Sequence, residues 1–241
     1  MCKFRRKPSW LYLKLTRHSI YDKRASIGLA LPYKAIHTRT HLPNTMDYRR
    51  DVAREIARRY CRLEPHSIEV LASLLTPMKF LRGEVVLREG EECTCMYYVE
   101  RGMVRQYYYK NGKDVTEHFS FEGRIVMCIE SLLKHVPSQI IIEALETTHL
   151  YALPRKKLLE TIEICPELGI LYRKITEHAL ISSQHHADSQ RFENAQERYE
   201  RLLREKPEIV LRAPMVHVAS FLQMTPETLS RVRAHKEKNK K

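Results

Sequence analysis

Glu227, Ser230 and Arg231 stand close together in the stretch Thr225-Pro226-Glu227-Thr228-Leu229-Ser230-Arg231. These residue types can read the edge of a base pair. Arginine donates two parallel hydrogen bonds to guanine, and glutamate accepts from cytosine N4. That use requires a helix that presents them together. Thr225 is a good N-cap, and Pro226 suits the first helical position, where its missing N–H costs nothing. Leu229 and Val232 fall at i and i+3 and mark an inward face. Upstream, Val216, Ala219, Phe221 and Leu222 form the apolar face of a short helix, and a break follows at Gln223-Met224. Small Ala219 lets the second helix cross closely. Two short helices so joined have the helix-turn-helix layout, whose second helix enters the DNA major groove. Thr225, Glu227, Thr228, Ser230, Arg231, Arg233 and Lys236 are the expected DNA-contacting residues.

The charge distribution points the same way. The net charge is +13. Residues 1–45 hold ten Lys/Arg and one acid, and residues 228–241 hold six Lys/Arg and one acid. A basic end beside a base-reading helix would neutralise phosphates and supply salt-sensitive affinity. No apolar run reaches the roughly 20 residues of a membrane span, and no secretory signal is visible. The six cysteines (2, 61, 93, 95, 128 and 165) lack framework spacing, so a cytoplasmic location is expected. Cys93-Thr94-Cys95 reads as two structural thiols rather than a metal site. His185-His186 is adjacent rather than i,i+4 and reads as a solvated pair.

The elements that position the base-reading stretch can be followed along the chain. Residues 1–45 form a basic extension without steady periodicity. Two readings are open for it: translation beginning at Met46, which is preferred, or a basic arm on DNA. Residues 47–74 have helical spacing, with Pro65 separating two segments. Residues 78–155 change period. Val85–Leu87, Met96–Val99, Val104–Tyr109, Val115–Phe121, Ile140–Ile142 and Leu150–Leu153 read as strands, with a short helix over Cys128–Leu133. Asn111-Gly112 is a tight-hairpin signal. Glycines 83, 90, 102, 112 and 123 recur at turn-like intervals, which suits a compact β-roll or barrel. Residues 155–190 return to helix. Leu168, Leu171 and Ile175, continued by His178 and Ser182, form a narrow stripe suited to a two-helix dimer contact. The alternative is packing on the chain's own barrel. A further amphipathic helix covers 192–206, with Ala195, Tyr199, Leu202 and Leu203 inward and Arg198, Glu200, Arg201 and Arg204 outward; Pro207 is expected to stop it. The expected class is α+β: extension 1–45, β-roll with flanking helices 46–165, dimerisation helix 166–190 and helix-turn-helix domain 191–241.

This order resembles the CRP/FNR family of bacterial transcription regulators. The resemblance rests on Gly83-Glu84-Val85-Val86-Leu87-Arg88-Glu89-Gly90, the turn at Gly102, Ala195-Gln196-Glu197-Arg198-Tyr199 and above all Thr225–Arg231, which looks like Bacteroidetes members. It implies a cyclic-nucleotide-binding-like roll, a homodimer on an inverted repeat, a TTGA-like half-site read by Glu227, Ser230 and Arg231, and contact with RNA polymerase. It also implies an effector pocket, near Glu130, Ser138 and Gln139. There the chain departs from the cyclic-AMP binders: Glu130 matches the ribose-binding glutamate, but the phosphate-binding arginine is absent. An anionic phosphate without that charge-assisted pair should bind poorly. An iron–sulfur cluster is disfavoured because Cys2 stands alone at the N-terminus, whereas four thiolates are needed. Haem stays open, given twelve histidines. No metal site is assigned, and the small-molecule effector is unidentified. Gln223 stands where such proteins often have Gly, and the β-wing of some members is expected to be reduced or absent.

Two rival readings remain beside this non-enzymatic one. One is a cupin-like barrel enzyme, which needs clustered His and carboxylate ligands. The other is a ligand-binding or interaction module without DNA readout.

Overall fold

A computed structural model describes residues 45–238, with side chains as far as residue 235. The expectations for the basic extension therefore lie outside the described residues. Two helices come first, α1 (Met46–Tyr60) and α2 (Pro65–Leu74), the second opened by its proline. The roll follows with β1 (Thr76–Phe80), β2 (Val85–Leu87), β3 (Cys95–Arg101), β4 (Met103–Lys110), β5 (Lys113–Phe121), β6 (Ile125–Val126), the short helix α3 (Ile129–Lys134), β7 (Ile141–Ala144) and β8 (Thr148–Pro154). The strands form two four-stranded antiparallel sheets, ordered β1-β8-β3-β6 and β2-β7-β4-β5.

Turn chemistry fixes the strand registers. At the β4–β5 turn, Asn111 and Gly112 both adopt positive φ (52° and 73°), as a tight hairpin matched to strand twist requires. Gly102 has φ 100°, and a Cβ there would lie 2.5 Å from Thr148 Oγ1 and 2.7 Å from Thr148 Cα. Only glycine lets β3 turn into β4 that close to β8. Between the pairs Gln106↔His118 and Tyr107↔Thr116 the register shifts, leaving Glu117 unpaired in a bulge.

Beyond the roll, α4 (Arg155–Ile162) leads into the 26-residue α5 (Glu167–Phe192), about 39 Å long at 1.5 Å per residue. Leu168, Leu171 and Ile175 on α5 are 0%, 0% and 1% exposed within the main core of roll strands, α1 and α2. This corrects the expectation that they form a dimer seam. A stripe at helical spacing shows that one face is buried but not what buries it, and here α1, α2 and α4 of the same chain, with the roll core behind them, do. The opposite face of α5 carries exposed Ile170, Leu180 and Ile181.

The chain closes with α6 (Ala195–Glu205), α7 (Pro207–Arg212), α8 (Met215–Phe221) and α9 (Pro226–Lys238). Asn194 opens α6 with a full capping box: its side chain accepts from the N–H of Glu197, whose carboxylate accepts from the N–H of Asn194. Pro207 does not merely stop α6; it starts α7 from the first helical position. Arg198 is not turned outward either. Its guanidinium donates to the carbonyls of Leu222 (2.8 Å) and Glu193 (2.6 Å), tying α6 to the end of α8.

Candidate nucleic-acid interface and cavity

The α8–α9 pair is built from a small second core. Val218, Ala219, Phe221, Leu222 and Leu229 are buried with Tyr199, Leu202 and Ile209. Val216 was expected in this core but is 56% exposed. Gln223 takes φ 51° in the turn, at a cost of order a kcal/mol for a non-glycine residue. Thr225 caps α9, its hydroxyl accepting from the Thr228 N–H at 3.2 Å. With Leu229 fully buried, Glu227, Ser230 and Arg231 are exposed around the rest of the helix. Arg231 donates to the Thr228 hydroxyl at 3.2 Å, and no ion pair holds it among the described residues. The Thr225 hydroxyl keeps the Glu227 carboxyl below the usual range, so it is an ionised acceptor at neutral pH. Arg233 leans back to Met215 Sδ. The side chain of Lys236 lies outside the described ones. The exposed face can therefore offer a fork of donors and an ionised acceptor to a groove.

The same helices are docked on the roll. Met103, Phe119, Phe121 and Leu145 from the sheet join the second core, and Phe119 meets Phe221 edge-on with ring centroids 5.4 Å apart. Arg212 reaches both Glu122 oxygens (2.7 and 2.8 Å) and also pairs with Glu146. Arg105, 4% exposed, pairs with Glu143 and Asp114 and donates to His217 Nδ1 at 2.8 Å. Because arginine only donates, His217 must accept and is therefore neutral. Burial, helped by Arg105, pushes its pKa down. The Thr116 N–H donates to the Ser220 hydroxyl at 2.9 Å. His186 is not a solvated residue: its ring stacks on Phe221 at 4.6 Å and lies 5.3 Å from His118. Burial lowers His186 to about 4 and His118 to about 3. His185 is exposed, as expected.

A cavity of about 790 Å³ lies between the roll, α5 and the α6–α7 junction. Glu130, Ser138 and Gln139 all border it, as do His178 and Ser182, which the dimer seam had claimed. Glu130 is exposed and pairs with Lys134 at 2.8 Å. Ser138 is buried and occupied with Ile140: its hydroxyl donates to the Ile140 carbonyl and accepts from the Ile140 N–H. Segment 130–139 contains no arginine. Cys128, also on the wall, shares a hydrogen bond with Cys93, which lowers the Cys93 thiol and raises that of Cys128. The sequence reading missed Tyr60, Arg124 and Lys206 on this wall. They come from α1, the β5–β6 turn and the α6–α7 junction, so nothing in local spacing links them.

Residues 77–165 match the cyclic nucleotide-binding domain family. Over 68% of this chain and 85% of that one, the structure of FixK2 from Bradyrhizobium japonicum superposes with TM-score 0.60 at 21% identity. The c-di-GMP responsive global regulator CLP of Xanthomonas campestris gives 0.58 at 15% identity, covering 73% of this chain and 93% of that one. A putative transcriptional regulator of the CRP/FNR family from Eubacterium rectale gives 0.56 at 14%, covering 73% and 85%. No match is found among curated proteins. Residues 77–165 thus form a cyclic-nucleotide-binding-type roll, and the fold is similar to those of these solved regulators. Among the described residues no helix is long and apolar enough to cross a membrane.

Proposed function

We propose that the chain is a homodimeric, sequence-specific DNA-binding transcription regulator. In this reading α8 and α9 are the helix-turn-helix, α9 enters the major groove, and Glu227, Ser230 and Arg231 read a TTGA-like half-site twice in an inverted repeat. The observation that carries it is the exposure of these three side chains on a helix anchored from behind by buried Leu229. Thr225, Thr228, Arg233 and Lys236 would contact the backbone around them.

The dimer contact is assigned to the open face of α5, with Ile170, Leu180 and Ile181 (47%, 69% and 54% exposed), in place of the buried stripe; Leu180 also borders the cavity. Apolar side chains on the outer face of a long helix suit a two-helix contact, and paired heads suit a palindrome. RNA polymerase is the expected further partner, by resemblance.

The roll is assigned an effector-binding role, with a ligand other than cyclic AMP, because segment 130–139 offers no arginine to a cyclic phosphate. Calorimetry with cyclic AMP should give no tight binding; micromolar affinity would contradict this. The DNA reading is tested by binding of the full chain to an inverted TTGA-type repeat against a scrambled duplex. Preference for the repeat is expected, and equal binding would contradict the reading.

A further inference from the structure

The arginines at the junction of the C-terminal helices with the roll are satisfied inside the chain: buried Arg105 by Glu143 and Asp114, half-buried Arg212 by Glu122 and Glu146. The cavity wall holds two cations that are not. Arg124 lies with its guanidinium over the Phe121 ring, 5.3 Å from the centroid, and its buried Nε has no hydrogen-bond partner. Lys206 makes no ion pair among the described residues. Both border the cavity, together with His118 and His178. Burial lowers the pKa of Arg124 and of Lys206, and the Arg124 charge lowers Lys206 further. The same charges, with Arg59, act on His178.

Nearby carboxylates do not neutralise this cluster. Glu117 borders the cavity unpaired, and burial pushes its carboxyl up towards the neutral form. Glu130 is engaged by Lys134, and Glu205, engaged by Arg201 and Arg204, acts on Lys206 without forming an ion pair. Glu208 acts on Arg124 without forming an ion pair. Desolvated like charges without a counter-ion destabilise a fold, so their retention around a cavity calls for an anion from outside. Beside its polar residues the wall has an apolar part, with Ile125, Met127, Ile129, Ile140 and Ile175.

We infer that this cavity binds a small amphipathic organic anion, whose carboxylate or phosphate lies between Arg124 of the roll and Lys206 of the C-terminal helices. Its apolar body fills the space towards α3 and α5, in a volume typical of small-molecule sites. The charge is met by residues outside segment 130–139. Because Lys206 joins α6 to α7, the bound anion bridges the roll to the proposed DNA-reading unit. The inference rests on the effector role proposed for the roll, but binding is read without DNA, so it stands or falls apart from the DNA reading.

The test uses the full chain and the fluorescent anion 8-anilinonaphthalene-1-sulfonate, displaced by 4-phenylbutyrate, by 4-phenylbutyl phosphate or by neutral 4-phenylbutanol. Saturable binding at one site is expected, with at least one of the two anions displacing the probe about tenfold better than the alcohol, the ratio for ~1.4 kcal/mol. The stronger anion identifies the head group. Arg124→Gln and Lys206→Gln should each weaken probe binding about tenfold. Arg124→Lys and Lys206→Arg should restore it, and Lys113→Gln at the distant β-hairpin tip should leave it unchanged. Melting temperatures of the ligand-free glutamine variants should hold or rise, since each loses a partly desolvated charge that has no ion pair among the described residues. Equal displacement by the alcohol, or unchanged affinity in both glutamine variants, would mean an apolar cavity only and overturn the inference. A marked fall in melting temperature of both glutamine variants would mean that these cations serve the fold, and would overturn it too.

Discussion

Two regions of the C-terminal helices use the same residue types to opposite ends. At the junction with the roll, Arg105 and Arg212 are engaged by acids of the same chain, and His217 completes the contact of Arg105. On α9, Arg231 and Glu227 are exposed, bond to neighbouring threonines and form no ion pair among the described residues. Charges that hold a fold together find partners within it. Charges left in water on a rigidly held helix are available to another molecule. The contrast separates residues whose loss should cost stability from those whose loss should cost recognition.

The sharpest way to break the comparison is on α5, which has one face of each kind. Leu171→Glu places a charge in the roll core and should cost several kcal/mol, about 3–5 by analogy with other uncompensated buried charges, or prevent folding. Leu180→Glu with Ile181→Glu, on the open face, should keep the melting temperature and give monomers in light scattering. A dimeric double mutant would remove the proposed contact.

Arg231→Ala comes next. It should leave stability unchanged and lose about 1–3 kcal/mol of discrimination between the inverted repeat and a scrambled duplex, while non-specific binding persists. Unchanged discrimination would place base reading elsewhere. Arg212→Ala should do the reverse. Leaving Glu122 and Glu146 without their partner should cost about 1–2 kcal/mol, read as faster hydrogen exchange in α7 and α8, with the roll little affected. Unaltered exchange there would show that the aromatic contacts hold the junction alone.

The smallest effect is on pH. His118, His186 and His217 are held neutral at the junction, with pKa values below that of free histidine. The undocked state therefore binds more protons below pH ~6.5, so the stability present above that value is lost as pH falls towards about 4, where His186 titrates. The junction should melt earlier at about pH 5.5 than at about pH 7.5. Equal or greater stability at the lower pH would contradict the neutral assignment.

Local chemistry was legible in the sequence, and long-range choice was not. Asn111-Gly112, Thr225-Pro226 and the recurrent glycines carry their geometry in their own backbone preferences, so hairpin, helix start and roll turns could all be anticipated. Strand β1 was missed: Pro77 weakens its pattern, and its partner β8 lies some seventy residues further on. The stripe Leu168, Leu171, Ile175 announced a buried face, but only the fold shows the helices and core of the same chain beneath it. Arg198 lies on the polar side of α6 by period yet is drawn in by two carbonyls. For the candidate site, the placing of Glu227, Ser230 and Arg231 together on α9 was legible because one helix carries them all; their use in base reading is the proposal. Arg124 and Lys206 were not foreseen, because three separate elements bring the cavity wall together.

The most direct test of the central claim is selection of bound sequences from a random DNA library by the full chain with no ligand added. The account predicts enrichment of an inverted repeat with TTGA-like halves, lost in Arg231→Ala. No enrichment from the full chain, either alone or with an anion that occupies the cavity, would contradict a DNA-reading dimer.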